Sequence, residues 1–166
     1  REHRIQPLTL AVKEGQVERL GPFECEFVAV NHSIPDALAV AVRTAAGTVL
    51  HTGDFKLDLT PVDGRLTDLA AIGAIAEDEG IRLLLSDSTN ADSPGHSRSE
   101  TSVGAVLYNT MHAHEGRRLI VTCFASHIHR VQQVADAAQA FGRRVATLGL
   151  SMKKNVALAR KLGVLR

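Results

Sequence analysis

A chain of 166 residues is long enough for one ordinary domain with its own core, or for two partial ones. Hydrophobic residues at 45% and charged residues at 22% are a globular balance, which excludes an intrinsically disordered chain. A net charge of +1 gives no bulk footprint for nucleic acid, so any such surface must be local, and no apolar run approaches the ~20 residues that span a bilayer.

The first half reads as β-rich. Phe23 to Val30, Ala37 to Arg43 and Thr48 to His51 are heavy in Val, Leu and Phe, and Gly21-Pro22, Ile34-Pro35 and Ala45-Ala46-Gly47 punctuate them. Phe23, Cys25 and Phe27 alternate with Glu24 and Glu26, the period of a half-buried strand. From Thr67 to Asp78 the spacing turns helical, with Leu69, Ile72 and Ala76 on one stripe. Gly80 closes that helix, and Ile81 to Leu85 predicts a short apolar strand that delivers Ser86-Asp87-Ser88-Thr89-Asn90. Residues 91–98 are a polar loop and the best domain boundary. Ser97-Arg98-Ser99-Glu100 fits a capping box for a helix carrying Val103, Val106, Leu107 and Met111 and ending near Gly116. Beyond it the expected order is strand (Leu119 to Phe124), helix (Ser126 to Phe141), strand (Arg144 to Leu148) and helix (Ser151 to Leu162). That alternation predicts a parallel sheet with right-handed crossovers. Cys25 and Cys123 lie in separate apolar runs and are expected as buried free thiols in a reducing cytosol. The chain opens on Arg1 and its last residues read as an unfinished helix-and-turn pattern, so a piece of a longer protein is expected.

Two motifs carry chemistry. Val30-Asn31-His32-Ser33-Ile34-Pro35-Asp36 and His51-Thr52-Gly53-Asp54-Phe55-Lys56 each place a metal-ligand residue, His32 and then Asp54, just past an apolar run. Imidazole and carboxylate are donors that zinc accepts at ~2.0–2.2 Å. Alone, the first also reads as a strand-end histidine bonded to backbone, and the second as a turn with an Asx hydrogen bond. Together, in this order and wording, they resemble the third and fourth motifs of the metallo-β-lactamase fold. The wording VNHSIPDALAVAV…GTVLHTGDFKLD resembles one branch of it, ribonuclease J of the β-CASP nucleases.

The resemblance runs from about Ile5 to Leu165 and implies a fold class and a division. The class is α/β: a partial metallo-β-lactamase αββα fold over residues 1–93, then the start of a β-CASP parallel α/β domain over 94–166. It implies that His32 binds one zinc and that Asp54 bridges two, and that Asp87 is the acidic residue opening the β-CASP part, where an Asx turn is the plainer alternative. The catalytic residues would be Asp54 and Asp87. Phe124-Ala125-Ser126-His127-Ile128-His129-Arg130 matches a family stretch with Asn more often at the position of His127. It falls at a strand-to-helix turn, where α/β sheets bind ligands and free N–H groups meet phosphates, so Ser126, His127, His129 and Arg130 are the candidate substrate contacts. An ordinary helix cap with a solvated basic turn is the alternative there. The implied activity is zinc-dependent hydrolysis of RNA phosphodiesters, as a 5′-3′ exonuclease acting from a 5′-monophosphate end with endonuclease activity, in cytoplasmic RNA processing and decay. No membrane is involved, and the full-length protein is expected to be a homo-oligomer. The family's H-x-H-x-D-H cluster is absent from the chain, so the segment by itself is expected to be inactive. The competing readings are a hydrolase of small esters on the same fold and a non-catalytic RNA-binding homologue.

Overall fold

In the computed structural model, which describes residues 7–166, the alternating stretch at Phe23 forms a strand in a five-stranded sheet. β1 (Val17–Leu20), β2 (Phe23–Ala29), β3 (Leu38–Thr44) and β4 (Gly47–His51) pair in chain order as an antiparallel meander. β5 (Ile81–Leu85) then adds to β4 in parallel, after the crossover helix α1 (Leu69–Asp78). Ile5, where the sequence resemblance begins, lies outside the described residues. β1 was not anticipated, because two of its four residues, Glu18 and Arg19, are charged and no apolar run marks it. The turn at Gly21 (φ +62°) folds it back onto β2.

One face of the sheet makes the main core. Val28, Val30, Ala39, Ala41 and Leu50 are buried beneath Ile75 of α1, with Ala71 and Ile72 packed beside it. Side chains two apart share a face, so Glu24, Glu26, Arg43 and Thr48 continue the same surface toward its polar edge. There Arg43 donates to Glu26 and to Glu79, both at 2.6 Å, and Thr48 donates to Glu79 at 2.9 Å. The carboxyl-terminal end of α1 is thereby tied to the sheet. At its other end Asp68 caps the helix, accepting from the Ala71 amide at 2.9 Å.

In the second half the helices form and the expected strands do not. α2 (Thr101–Ala113), α3 (Ile128–Ala140) and α4 (Leu150–Lys161) pack through two small clusters. Met111 meets Ala137 and Ala138 in one, and Ile128 meets Ala159 and Leu165 in the other. Residues 119–124 and 144–148 join no ladder among the described residues, which corrects the expectation of a parallel sheet there. An apolar run becomes a strand only when a neighbour takes up its N–H and C=O groups. Neither run has that neighbour among the described residues, and Ile120, Phe124 and Leu148 stand more than four-fifths exposed.

The capping box is also absent. Glu100 is itself the N-cap residue of α2 and makes no side-chain cap bond. The Ser99 hydroxyl instead accepts from the Thr101 amide at 3.3 Å. Cys25 is buried and Cys123 half-buried, both free.

Candidate active site

The pairing directions decide where the motifs meet. β2 is antiparallel to β3, β3 is antiparallel to β4, and β4 is parallel to β5, so β2, β4 and β5 all run the same way. Their carboxyl ends lead into His32, Asp54 and Asp87 respectively. In open α/β sheets that end is where ligands bind. His32 Nε2 lies 3.8 Å from Asp54 Oδ2, with the histidine largely buried and the aspartate open to solvent. Asp87 is tied to the same loop: its Oδ2 accepts from the Phe55 amide at 3.4 Å. Its Oδ1 accepts from the amide and hydroxyl of Thr89 at 3.0 and 2.7 Å. The Thr89 hydrogen bonds, helped by the Phe55 amide and the charge of His32, hold the Asp87 carboxyl below the usual carboxylate range. Asp87 thus makes the Asx turn that the residue pattern allowed and also faces the two-motif loop.

Residues beside the candidate ligands hold these loops, and one of them, Thr67, lies outside both motifs. The Thr67 hydroxyl accepts from the Asn31 amide at 2.9 Å and donates to the Lys56 carbonyl at 2.7 Å, joining the His32 loop to the Asp54 loop. The Lys56 amide donates to the Asn31 carbonyl at 2.7 Å, and the Asn31 side chain donates to the Arg65 carbonyl at 3.1 Å. The Thr52 hydroxyl accepts from the Asp87 amide at 3.0 Å, fastening the T-G-D turn to the end of β5. Gly53 occupies the left-handed region (φ +61°), and a Cβ there would sit 3.2 Å from the Leu38 carbonyl oxygen, so the turn requires glycine. The His51 ring accepts from the Gly53 amide at 2.9 Å and supports the same turn.

The Ser126–Arg130 turn opens α3. His127 is its N-cap, with the ring accepting from the Arg130 amide at 3.3 Å. Three of the four candidate contacts already face acids. His127 Nε2 lies 3.4 Å from Glu100, Arg130 Nε bonds the same carboxylate, and His129 Nε2 lies 3.3 Å from Asp63. The His129 contact is off the hydrogen-bonding axis, which leaves that nitrogen buried without a hydrogen-bond partner. Ser126 is exposed. Burial pushes the His127 ring toward its neutral form against the pull of Glu100. Burial also pushes the Glu100 carboxyl up, but the Arg130 hydrogen bond and the charges of His127, Arg130 and Lys56 outweigh it and leave the group below its ordinary value. A crevice of about 10 Å³, room for roughly one water, lies between the halves and is lined by His32, Lys56, Glu100, His127 and His129 among others.

Known proteins bear on this arrangement. The family described as "Ribonuclease J, beta-CASP domain" matches residues 116–166. Ribonuclease J of Mycobacterium tuberculosis is 55% identical over 166 residues, which is 100% of this chain and 29% of that protein. Ribonuclease J of Sinorhizobium meliloti is 46% identical over 159 residues, covering 96% of this chain and 28% of its own length. The match to ribonuclease J is end to end. The chain spans less than a third of the length of these ribonuclease J relatives. A crystal structure of a protein of unknown function from Enterococcus faecalis aligns with a TM-score of 0.60 at 16% identity, over 88% of this chain and 39% of that one, and so shares its fold.

Zinc is the ion that the ribonuclease J resemblance implies, and the donors can be tested against it. A tetrahedral ion bound at ~2.0–2.2 Å sets neighbouring ligand atoms roughly 3.3–3.6 Å apart. His32 and Asp54 are right in type and, at 3.8 Å, nearly right in spacing. They fall short in number. Among the described residues no group of three or more His, Cys, Asp or Glu side chains converges as a metal site, and a catalytic zinc takes three protein ligands.

Proposed function

We propose that this chain is part of a zinc-dependent ribonuclease of the ribonuclease J type that hydrolyses RNA phosphodiesters. The observation that carries the reading is the delivery of His32, Asp54 and Asp87 to one end of the sheet by three strands running the same way. The end-to-end likeness to ribonuclease J supports it. His32 and Asp54 would be two of the zinc ligands, Asp54 between two ions, with the remaining ligands supplied by parts of the full-length protein outside these 166 residues. When bound, zinc lowers the pKa of a water and relieves charge on the phosphate.

The chain's own residues do the rest of the work. Asp87 holds the Asp54 loop through the Phe55 amide, and the Thr67 hydroxyl keeps His32 and that loop together. At the start of α3 the His127, Ile128 and Arg130 amides are already bonded, to the Phe124 carbonyl, the Ser126 carbonyl and the His127 ring, so it is the exposed Ser126 hydroxyl that would meet a phosphate. His127 and His129 line the crevice beside His32, and Arg130 is held next to them by Glu100. The activity is 5′-3′ exonucleolytic from a monophosphorylated end, with endonuclease action, in cytoplasmic RNA turnover by a homo-oligomer. The test is made in the full-length protein. His32→Ala and Asp54→Ala should each lower bound zinc and nearly abolish RNA cleavage, the second more severely. Wild-type zinc content and cleavage in either variant would overturn the assignment.

A further inference from the structure

We propose that Glu100 is a positioning residue that fixes the Asp54 loop against the Ser126–Arg130 turn, a role that rests on the ribonuclease reading above. Its carboxylate is shared by side chains from both halves. Oε2 lies 3.7 Å from Lys56 Nζ, two residues past Asp54, while Oε1 receives Arg130 Nε and faces His127 Nε2 at 3.4 Å. The backbone is held as well. The Glu100 amide donates to Asp58 Oδ2 at 3.0 Å, and its carbonyl accepts from Gln133 of α3 at 3.0 Å. The Glu100 side chain is only 12% exposed, so it is not an ordinary surface ion pair free to exchange partners with solvent.

Charge balance gives this arrangement a consequence. Lys56 and Arg130 both face the Glu100 carboxylate, and the charge of Lys56 also acts on Asp58, so neither cation is loose at the place where a phosphate would arrive. A fixed carboxylate orients both cations and sets the separation between the metal-motif loop and the helix start. Reacting groups misplaced by even about 1 Å lose about a hundredfold in rate. Neutralising Glu100 would therefore do two opposite things. It would free two cations to bind RNA backbone, and it would loosen the alignment needed for cleavage.

The experiment compares Glu100→Gln and Glu100→Asp with wild type in the full-length protein, measuring zinc content, kcat, RNA affinity against salt, and amide hydrogen exchange. Glu100→Gln should keep its zinc and lose about 10- to 100-fold in kcat. Its RNA binding should be no weaker and more salt-dependent, with a log–log slope steeper by about 0.7 for each freed cation that meets a phosphate. Glu100→Asp should keep the wild-type slope and recover part of the rate. A role confined to stability would not steepen the slope. A kcat within about twofold of wild type, or affinity and kcat falling together, would overturn the proposal. If Glu100→Gln does not fold, Arg130→Lys keeps the charge but loses the guanidinium donor, and it should lower kcat at an unchanged slope. Wild-type kcat in that variant counts against the role. Wild-type protein that does not cleave RNA would instead refute the ribonuclease reading, and hydrogen exchange then judges Glu100 separately. Faster exchange at both Lys56 and Arg130 amides in Glu100→Gln supports the clamp, and unchanged exchange at either overturns it.

Discussion

Thr67→Val tests how the two metal-motif loops are held. Valine keeps the branched shape of threonine and removes only the hydroxyl, which accepts from the Asn31 amide at 2.9 Å and donates to the Lys56 carbonyl at 2.7 Å. Asn31 is buried, at 6% exposure, so its amide has no water to turn to. A buried polar group left without its partner costs about 1–3 kcal/mol. The Lys56 carbonyl belongs to a half-buried residue and recovers part of its loss from solvent. The sum for local opening is about 2–3 kcal/mol. At about 1.4 kcal/mol per factor of ten, that is a roughly 30- to 150-fold rise in exchange. Native-state hydrogen exchange of the full-length protein reads it directly at the Asn31 and Lys56 amides, the second of which bonds the Asn31 carbonyl. Zinc content should fall with it, because His32 follows Asn31 and Asp54 lies two residues before Lys56. Thr67→Ser keeps the hydroxyl and should stay within about threefold of wild type. Acceleration below about threefold in Thr67→Val, at both amides, would refute the view that this hydroxyl joins the loops.

Two further outcomes follow from the same contacts. The His127 ring is held toward neutral by burial, so the unfolded chain binds its proton more readily; stability should be lost as pH falls from about 6.5 through the lower folded value. Glu100, with its carboxyl depressed, adds a second loss as pH falls below about 4.3. Melting temperature against pH checks both, with His127→Asn expected to keep the helix cap and abolish the upper phase; a wild-type curve flat from about pH 7 to about pH 5 would contradict the first. The 166-residue chain expressed alone should bind an apolar dye and leave 5′-monophosphorylated RNA uncut in the presence of zinc, and steady turnover abolished by a chelator would mean that its ligand set is complete.

Sequence pattern and structure agree where the cause is local. β2 and β5 follow their apolar runs, and α1, α3 and α4 start within two residues of where the helical spacing begins. His32 and Asp54 stand out as motif residues at strand ends, and the pairing directions of the sheet bring them to one edge. Agreement fails where partners are distant. Ser97 to Glu100 has the wording of a capping box, yet the Glu100 carboxylate is taken by Lys56 and Arg130, 44 and 30 positions away in the chain. Thr67 reads as the first residue of the helical run but lies in the loop before α1, and nothing in its neighbours marks the hydroxyl as the link between two motifs. The Ser126–Arg130 turn reads as a substrate contact or as an ordinary helix cap, and the cap falls on His127, whose other nitrogen faces Glu100, 27 positions away.

The missing strands and the exposed surface have one physical cause. A compact chain of 17.8 kDa shows roughly 8,000 Å² to solvent, whereas this one shows 12303 Å². Much of the apolar excess is where ladders stop. Leu83, Leu84 and Leu85 of β5 are each close to half exposed, and β5 is an edge strand whose outer side pairs with nothing among the described residues. Ile120, Phe124 and Leu148 stand out along the two runs that form no strand. Apolar surface of that extent is not stable in water, and an unpaired strand edge invites pairing. The ribonuclease J relatives are more than three times as long as this chain. Partner strands beside β5 and beside residues 119–124 and 144–148 would take up the unpaired backbone groups and cover the leucines in one step. They would also leave the carboxyl ends of β2, β4 and β5, with His32, Asp54 and Asp87, at the rim of the finished sheet. The residues best able to do chemistry are therefore those that completing the fold does not need to bury.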